Sequence, residues 1–192
     1  SDQIVYWDRD LGQAAAYREE FRMVFELSNG VTVEYRGQAQ AEIIEAEPMD
    51  RSRMAEEIND DINRMGIADT KARVVDEGVS ISMEDIRFQP DTAVLLPQEK
   101  VKLDRIAEIL ARYPDRDILV AGHTALAGTA EGRMQLSIER AAAVAEYLIN
   151  KGVRTEDRVV VRGYGADRPV ADNSSEQGMR QNRRVEITIL EN

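Results

Sequence analysis

The sequence predicts an α+β protein: helices packed on a mixed sheet, preceded by a small α+β unit. Three observations predict it. From the strand that ends at Ile86 and Phe88 onward, strand-like and helix-like segments follow in the order β-α-β-α-β-loop-β, which places helices on one face of a mixed sheet. Near the N-terminus an Asn-Gly pair (Asn29-Gly30) separates two alternating runs, a hairpin pattern. Charge is also split along the chain. Residues 1–70 carry 16 acids and 7 bases, net −9, and residues 71–192 carry 20 acids and 18 bases, net −2. That contrast predicts two parts, a small α+β domain over 1–70 and a larger domain over 71–192.

Each element has its own signal. Leu11 to Glu20 reads as a first helix with weak periodicity. Met23, Phe25 and Leu27 alternate before the Asn-Gly turn, and Val31, Val33 and Tyr35 alternate after it. Ala41 to Glu45 adds a third strand, and Glu47-Pro48 breaks the chain. Asp50 or Ser52 caps a helix to about Met65, with Met54, Ile58, Ile62 and Met65 on one face and Gly66 at its C-cap. Lys71 to Val75 and Val79 to Met83 read as strands, and Ile86 and Phe88 close a strand before the Pro90-Asp91 loop. Pro97 opens a helix to about Tyr113, with Leu103, Ile106, Ala107 and Leu110 inward. Asp117 to Ala121 is a strand. Residues 132–150 form the longest helix, with Leu136, Val144, Leu148 and Ile149 among its apolar positions. Val159 to Val161 is a strand, residues 166–181 form a polar loop, and Arg184 to Leu190 is the last strand.

Composition narrows the function. The net charge is −11, and the acidic first part lacks the basic stripe of a nucleic-acid binder, so no nucleic-acid partner is expected. No apolar run approaches the ~20 residues of a spanning helix. The chain has no cysteine and one histidine, His123, which excludes a disulfide, a thiolate metal site and a multi-histidine metal site within one chain. The opening Ser-Asp-Gln, without Met or a basic n-region, predicts a mature or trimmed chain. Catalysis is not expected. Ser137 has no base beside it, His123 lies fourteen residues away with no triad context, and no phosphate-cradling glycine motif occurs. No cofactor is expected.

The most informative stretch is Gly122 to Ala141, GHTALAGTAEGRMQLSIERA: an apolar strand, a Gly-His-Thr turn, a small-residue loop and a long helix carrying LSIERA. VSISMEDIRFQPDTAVL (Val79 to Leu95), GYGADRPVADN (Gly163 to Asn173) and NRRVEI (Asn182 to Ile187) flank it in order. Together these motifs, over about residues 74–192, resemble the OmpA-like, peptidoglycan-associating domain family. The resemblance implies a non-catalytic, structural cell-envelope module in the periplasm. An outer-membrane anchor, if there is one, would precede Ser1. The implied partner is peptidoglycan, whose stem diamino acid sits in a pocket. In such domains the LSxxRA arginine, here Arg140, grips the ligand carboxylate through two parallel bonds. Thr124 and loop amides complete the pocket, and Arg183 lies near it. The family's aspartate after Gly-His-Thr, which pairs with the ligand ammonium, is Ala125 here. Its frequent asparagine seven residues before the arginine is Arg133. Glu131 is the acid in the same loop, either a replacement partner or a solvated side chain. These departures leave two readings, a peptidoglycan anchor with weak, altered or lost binding, and a structural or protein-interaction module that kept the fold. Residues 1–70 are a candidate surface for an envelope protein partner.

Overall fold

A computed structural model describes residues 2–8, 13–42, 49–89 and 92–191. The chain divides into two compact units, residues 1–47 and 48–192.

The first unit is an antiparallel sheet of β1 (Asp2–Asp8), β2 (Gln13–Glu26) and β3 (Thr32–Glu42), in that spatial order. The Asn-Gly hairpin forms between β2 and β3. Leu27 N–H donates to the Val31 carbonyl at 2.8 Å and Gly30 N–H to the Leu27 carbonyl at 2.9 Å. Gly30 takes φ +79°, a left-handed conformation that costs glycine little. Phe25 and Tyr35 meet edge to face across the pair, centroids 5.8 Å apart. The helix expected over Leu11 to Glu20 is not found. Residues 13–20 are strand, and residues 11 and 12 lie outside the described residues. Pairing on both edges, with β1 and with β3, satisfies the backbone groups that a weakly periodic helix would have satisfied internally. Of the expected strand over Ala41 to Glu45, residues 41 and 42 continue β3. The rest, and the Glu47-Pro48 break, lie outside the described residues.

The second unit begins with α1 (Arg51–Arg64), whose N-cap Asp50 accepts from the Arg53 N–H at 3.0 Å. It continues through β4 (Thr70–Val75), β5 (Gly78–Glu84), α2 (Pro97–Leu110), β6 (Ile118–Gly122) and α3 (Ala130–Asn150). A 3-10 turn (Glu156–Arg158), β7 (Val159–Gly163), α4 (Glu176–Asn182) and β8 (Arg184–Leu190) complete it. The sheet order is β4-β5-β8-β6-β7, with β6 and β7 parallel and the other neighbours antiparallel. Alternation assigns the faces. Val79, Ile81, Met83, Val185, Ile187, Ile189, Ile118 and Val120 are fully buried together with Ile58, Leu103, Ile106, Val144 and Leu148 of the helices. Each such side chain contributes about 1.5–3 kcal/mol.

The boundary expected near residue 70 differs from this division. α1 sits in the second unit because Ile58 and Ile62 join its core and because Asn59 reads the edge of β4. The Asn59 amide accepts from the Ala72 N–H and donates to the Ala72 carbonyl, both at 2.9 Å. Two smaller expectations also change. β5 ends at Glu84, since Asp85 turns the chain at φ +50°, and Ile86 and Phe88 are buried in the following loop, where Phe88 bridges Leu95. The polar segment 166–181 holds the start of α4, capped by the Ser175 hydroxyl accepting from Gly178 N–H at 3.0 Å.

Candidate ligand-binding site

β6 and α3 are held unusually close, and that approach builds the site. A side chain at Gly122 would place its Cβ 2.0 Å from the Ser137 carbonyl oxygen, and one at Gly163 would meet the Ser137 hydroxyl at 2.5 Å. Only glycine fits at these two strand ends. Ser137 is fully buried. It donates to the Met134 carbonyl at 2.7 Å and accepts from Gly165 N–H at 2.9 Å, clamping the turn after β7 onto α3. Thr124 N–H donates to the Gly165 carbonyl at 2.8 Å. Thr129 caps α3 by accepting from Gly132 N–H at 3.1 Å. The loop between β6 and α3 is pinned from the other side too, where Asn173 accepts from Leu126 N–H at 3.0 Å.

All five residues expected at the pocket, Thr124, Ala125, Arg133, Arg140 and Arg183, line one cavity of about 260 Å³. Met179 of α4 and Leu136 supply apolar wall. Thr124 and Ala125 are buried, and the three arginines are half-buried. The Thr124 hydroxyl makes no hydrogen bond within the described protein. Arg133 donates to the Gly128 carbonyl at 2.6 Å, which holds its stem along the loop. The Arg140 guanidinium stands over the Phe88 ring, 4.9 Å from its centroid, a cation–π placement that orients the fork. Arg183 reaches Asp85 at 3.5 Å. Among the described residues no acidic side chain lines the cavity. Glu131 is exposed in the first turn of α3 and is not part of the wall. The charged side chains among the described lining residues are these three guanidiniums, which suit a carboxylate or another anion.

Some supporting residues escaped sequence reasoning. Asn182, fully buried, accepts from Val170 N–H at 2.8 Å and Ala171 N–H at 3.1 Å and donates to the Ala171 carbonyl at 2.8 Å. It ties the GYGADRPVADN loop to β8. Its position before two arginines was the available signal. Phe88 had none for this contact, since Arg140 lies 52 residues later in the chain. His123 is buried and stacks on Tyr164, centroids 5.2 Å apart. Burial, then the Arg184 charge, push its pKa down to about 4, so the ring is neutral at pH 7.

A parallel strand pair joined by a long helix, and a Gly-His-Thr turn that opens onto an arginine of that helix, define the class. The chain belongs to the OmpA family, whose model matches residues 87–183. It is 36% identical over 104 residues to the peptidoglycan-binding protein ArfA of Mycobacterium tuberculosis, covering 54% of this chain and 32% of that one. It is 38% identical over 105 residues to the probable lipoprotein YiaD of Escherichia coli, covering 55% and 48%. The chain thus spans about a third to a half of the length of these curated relatives. Among solved structures, the cell wall anchor of the T6SS from Pseudomonas aeruginosa superposes with a TM-score of 0.61 at 28% identity, covering 74% of this chain and all of that one. An outer membrane protein from Borrelia burgdorferi gives 0.52 at 34% identity, covering 64% and 97%.

Proposed function

We propose that this chain is a non-catalytic module of the bacterial cell envelope that associates with peptidoglycan by gripping a stem-peptide carboxylate in the Arg140 cavity. The observation that carries the proposal is the gathering of Thr124, Ala125, Arg133, Arg140 and Arg183 around one cavity with three guanidiniums. Relatives named as a peptidoglycan-binding protein and a cell wall anchor support the choice of ligand, and relatives named as a lipoprotein and an outer membrane protein support a periplasmic location. Ala125 removes the partner of the stem's ammonium, so binding rests on the carboxylate half and is weaker than in an aspartate-bearing relative. The first unit is proposed to recruit an envelope protein, supported by exposed Met23, Phe25 and Tyr35 on its sheet.

Ala125, buried in the wall where the family carries an aspartate, favours a second reading, an interaction module that kept the fold without peptidoglycan. A pull-down on purified sacculi separates the two. The proposal expects wild-type retention, loss with Arg140→Ala and stronger retention with Ala125→Asp. No wild-type retention, or retention that survives Arg140→Ala, contradicts it.

A further inference from the structure

The Gly-His-Thr turn sends neighbouring side chains to opposite faces of the sheet. Thr124 lines the cavity described above, and His123 lines a different one of about 230 Å³, with no lining residue shared between them. This second cavity lies on the face opposite the core. β8 contributes Arg184, Glu186 and Thr188, alternating with the core residues Val185, Ile187 and Ile189. β4 contributes Arg73, and the turn after β7 contributes Tyr164 and Arg168.

The polar groups here are incompletely paired. Glu186 accepts from Arg184 Nε at 2.7 Å and from Arg73 at 2.5 Å, both on one carboxylate oxygen. Arg184, 3% exposed, also donates to the Arg168 carbonyl at 3.0 Å, yet its Nη1 makes no hydrogen bond within the described protein. The Arg73 Nε and both ring nitrogens of His123 are likewise buried without a hydrogen-bond partner. The Arg168 guanidinium lies over the Tyr164 ring, 3.8 Å from its centroid, at the exposed rim. Three guanidiniums therefore face two lining carboxylates, Glu186 and Glu77, and Glu186 is already engaged twice. Buried donors of this kind are costly unless a partner arrives.

We infer that this cavity is a second ligand site, which takes an oxyanion group, a carboxylate or a phosphate, between Arg184, Arg73 and Arg168. The geometry is a fixed donor set: Arg184 is locked by Glu186 and by the Arg168 carbonyl, so its remaining N–H is preorganised. A bound anion also changes His123, which faces Arg184 and Glu186 of β8, Arg73 of β4, and Tyr164 and Arg168 after β7. Those cations help hold its pKa near 4, and an anion among them raises it.

The chain's one histidine makes the test direct. The imidazole C–H signals of His123 are followed by NMR in the full chain while inorganic phosphate or acetate replaces chloride at constant ionic strength. The expected result is a saturable shift with at least one of the two anions, and a raised His123 pKa in its presence. Phosphate alone assigns a tetrahedral group, and acetate a carboxylate. Arg168→Gln and Arg73→Gln, both at partly exposed positions, weaken that binding about tenfold. Arg140→Ala leaves it unchanged, which separates this site from the peptidoglycan cavity. No saturable shift with either anion at millimolar concentrations overturns the inference, as does a shift that survives both glutamine variants or disappears with Arg140→Ala.

Discussion

Ala125→Asp places a carboxylate in a cavity whose described charged lining residues are three arginines, and its effect can be worked from the surroundings. Ala125 is 5% exposed, so a carboxylate there is largely desolvated and acts at more than surface strength. Losing one partner of such a buried pair costs about 2–5 kcal/mol, or about thirty-fold to several thousand-fold in affinity. The gain falls at the low end, because half-buried Arg133 lines the same cavity and competes for the new carboxylate. We expect Ala125→Asp to bind a soluble stem peptide with a free diamino-acid ammonium about thirty-fold more tightly than wild type. Adding Arg133→Asn removes the competitor and gives roughly a further tenfold. Isothermal titration calorimetry measures both. Acetylating the ligand's side-chain amine should cancel the gain while leaving wild-type affinity unchanged. If Ala125→Asp binds no more tightly, or if the acetylated peptide binds the variant as well as the free one does, position 125 does not face the ammonium and the reasoning fails.

Three further outcomes follow from the packing. Gly122→Ala drives a Cβ into the Ser137 backbone, so urea denaturation should show a loss of about 3 kcal/mol, and a loss below about 1 kcal/mol would contradict the close approach. Asn182→Ala leaves two backbone N–H groups of the 170–171 loop unpaired, and should cost about 2–3 kcal/mol in the same assay with a loosened loop by hydrogen exchange. His123 has a folded pKa of about 4 against 6.5 for the free side chain, so the unfolded chain binds more protons between these values. Its contribution to stability is therefore complete above about pH 6.5 and falls as pH drops toward 4, by up to about 3 kcal/mol. His123→Gln should flatten that part of the stability–pH curve, and an unchanged slope would refute the assignment.

The parts of the fold that were legible in the sequence share a physical cause. α1, α2 and α3 bury faces whose apolar residues recur at helical spacing, and β5 and β8 alternate between core and polar residues. Elements whose identity depends on a distant partner were less legible. The segment 13–20 is strand because two other strands flank it, and α1 belongs to the larger unit because Asn59 meets Ala72 on β4. At the site, the motif residues placed Thr124, Ala125 and the arginines together. The residues that hold them there, Gly122 against Ser137 and Asn182 against the 170–171 loop, act through contacts between segments far apart in the chain. The second cavity was invisible for the same reason, since Arg73 and Glu186 meet only across the folded sheet.

The central claim is that the Arg140 cavity grips a stem-peptide carboxylate. It is tested most directly by following the backbone amides of Thr124, Ala125 and Gly128 by NMR while a soluble peptidoglycan stem peptide is added. Saturable shifts confined to this loop and to the residues around Arg140 and Arg183 are expected, abolished when the peptide's carboxylates are converted to amides. No shift, or an equal response to the amidated peptide, would contradict it.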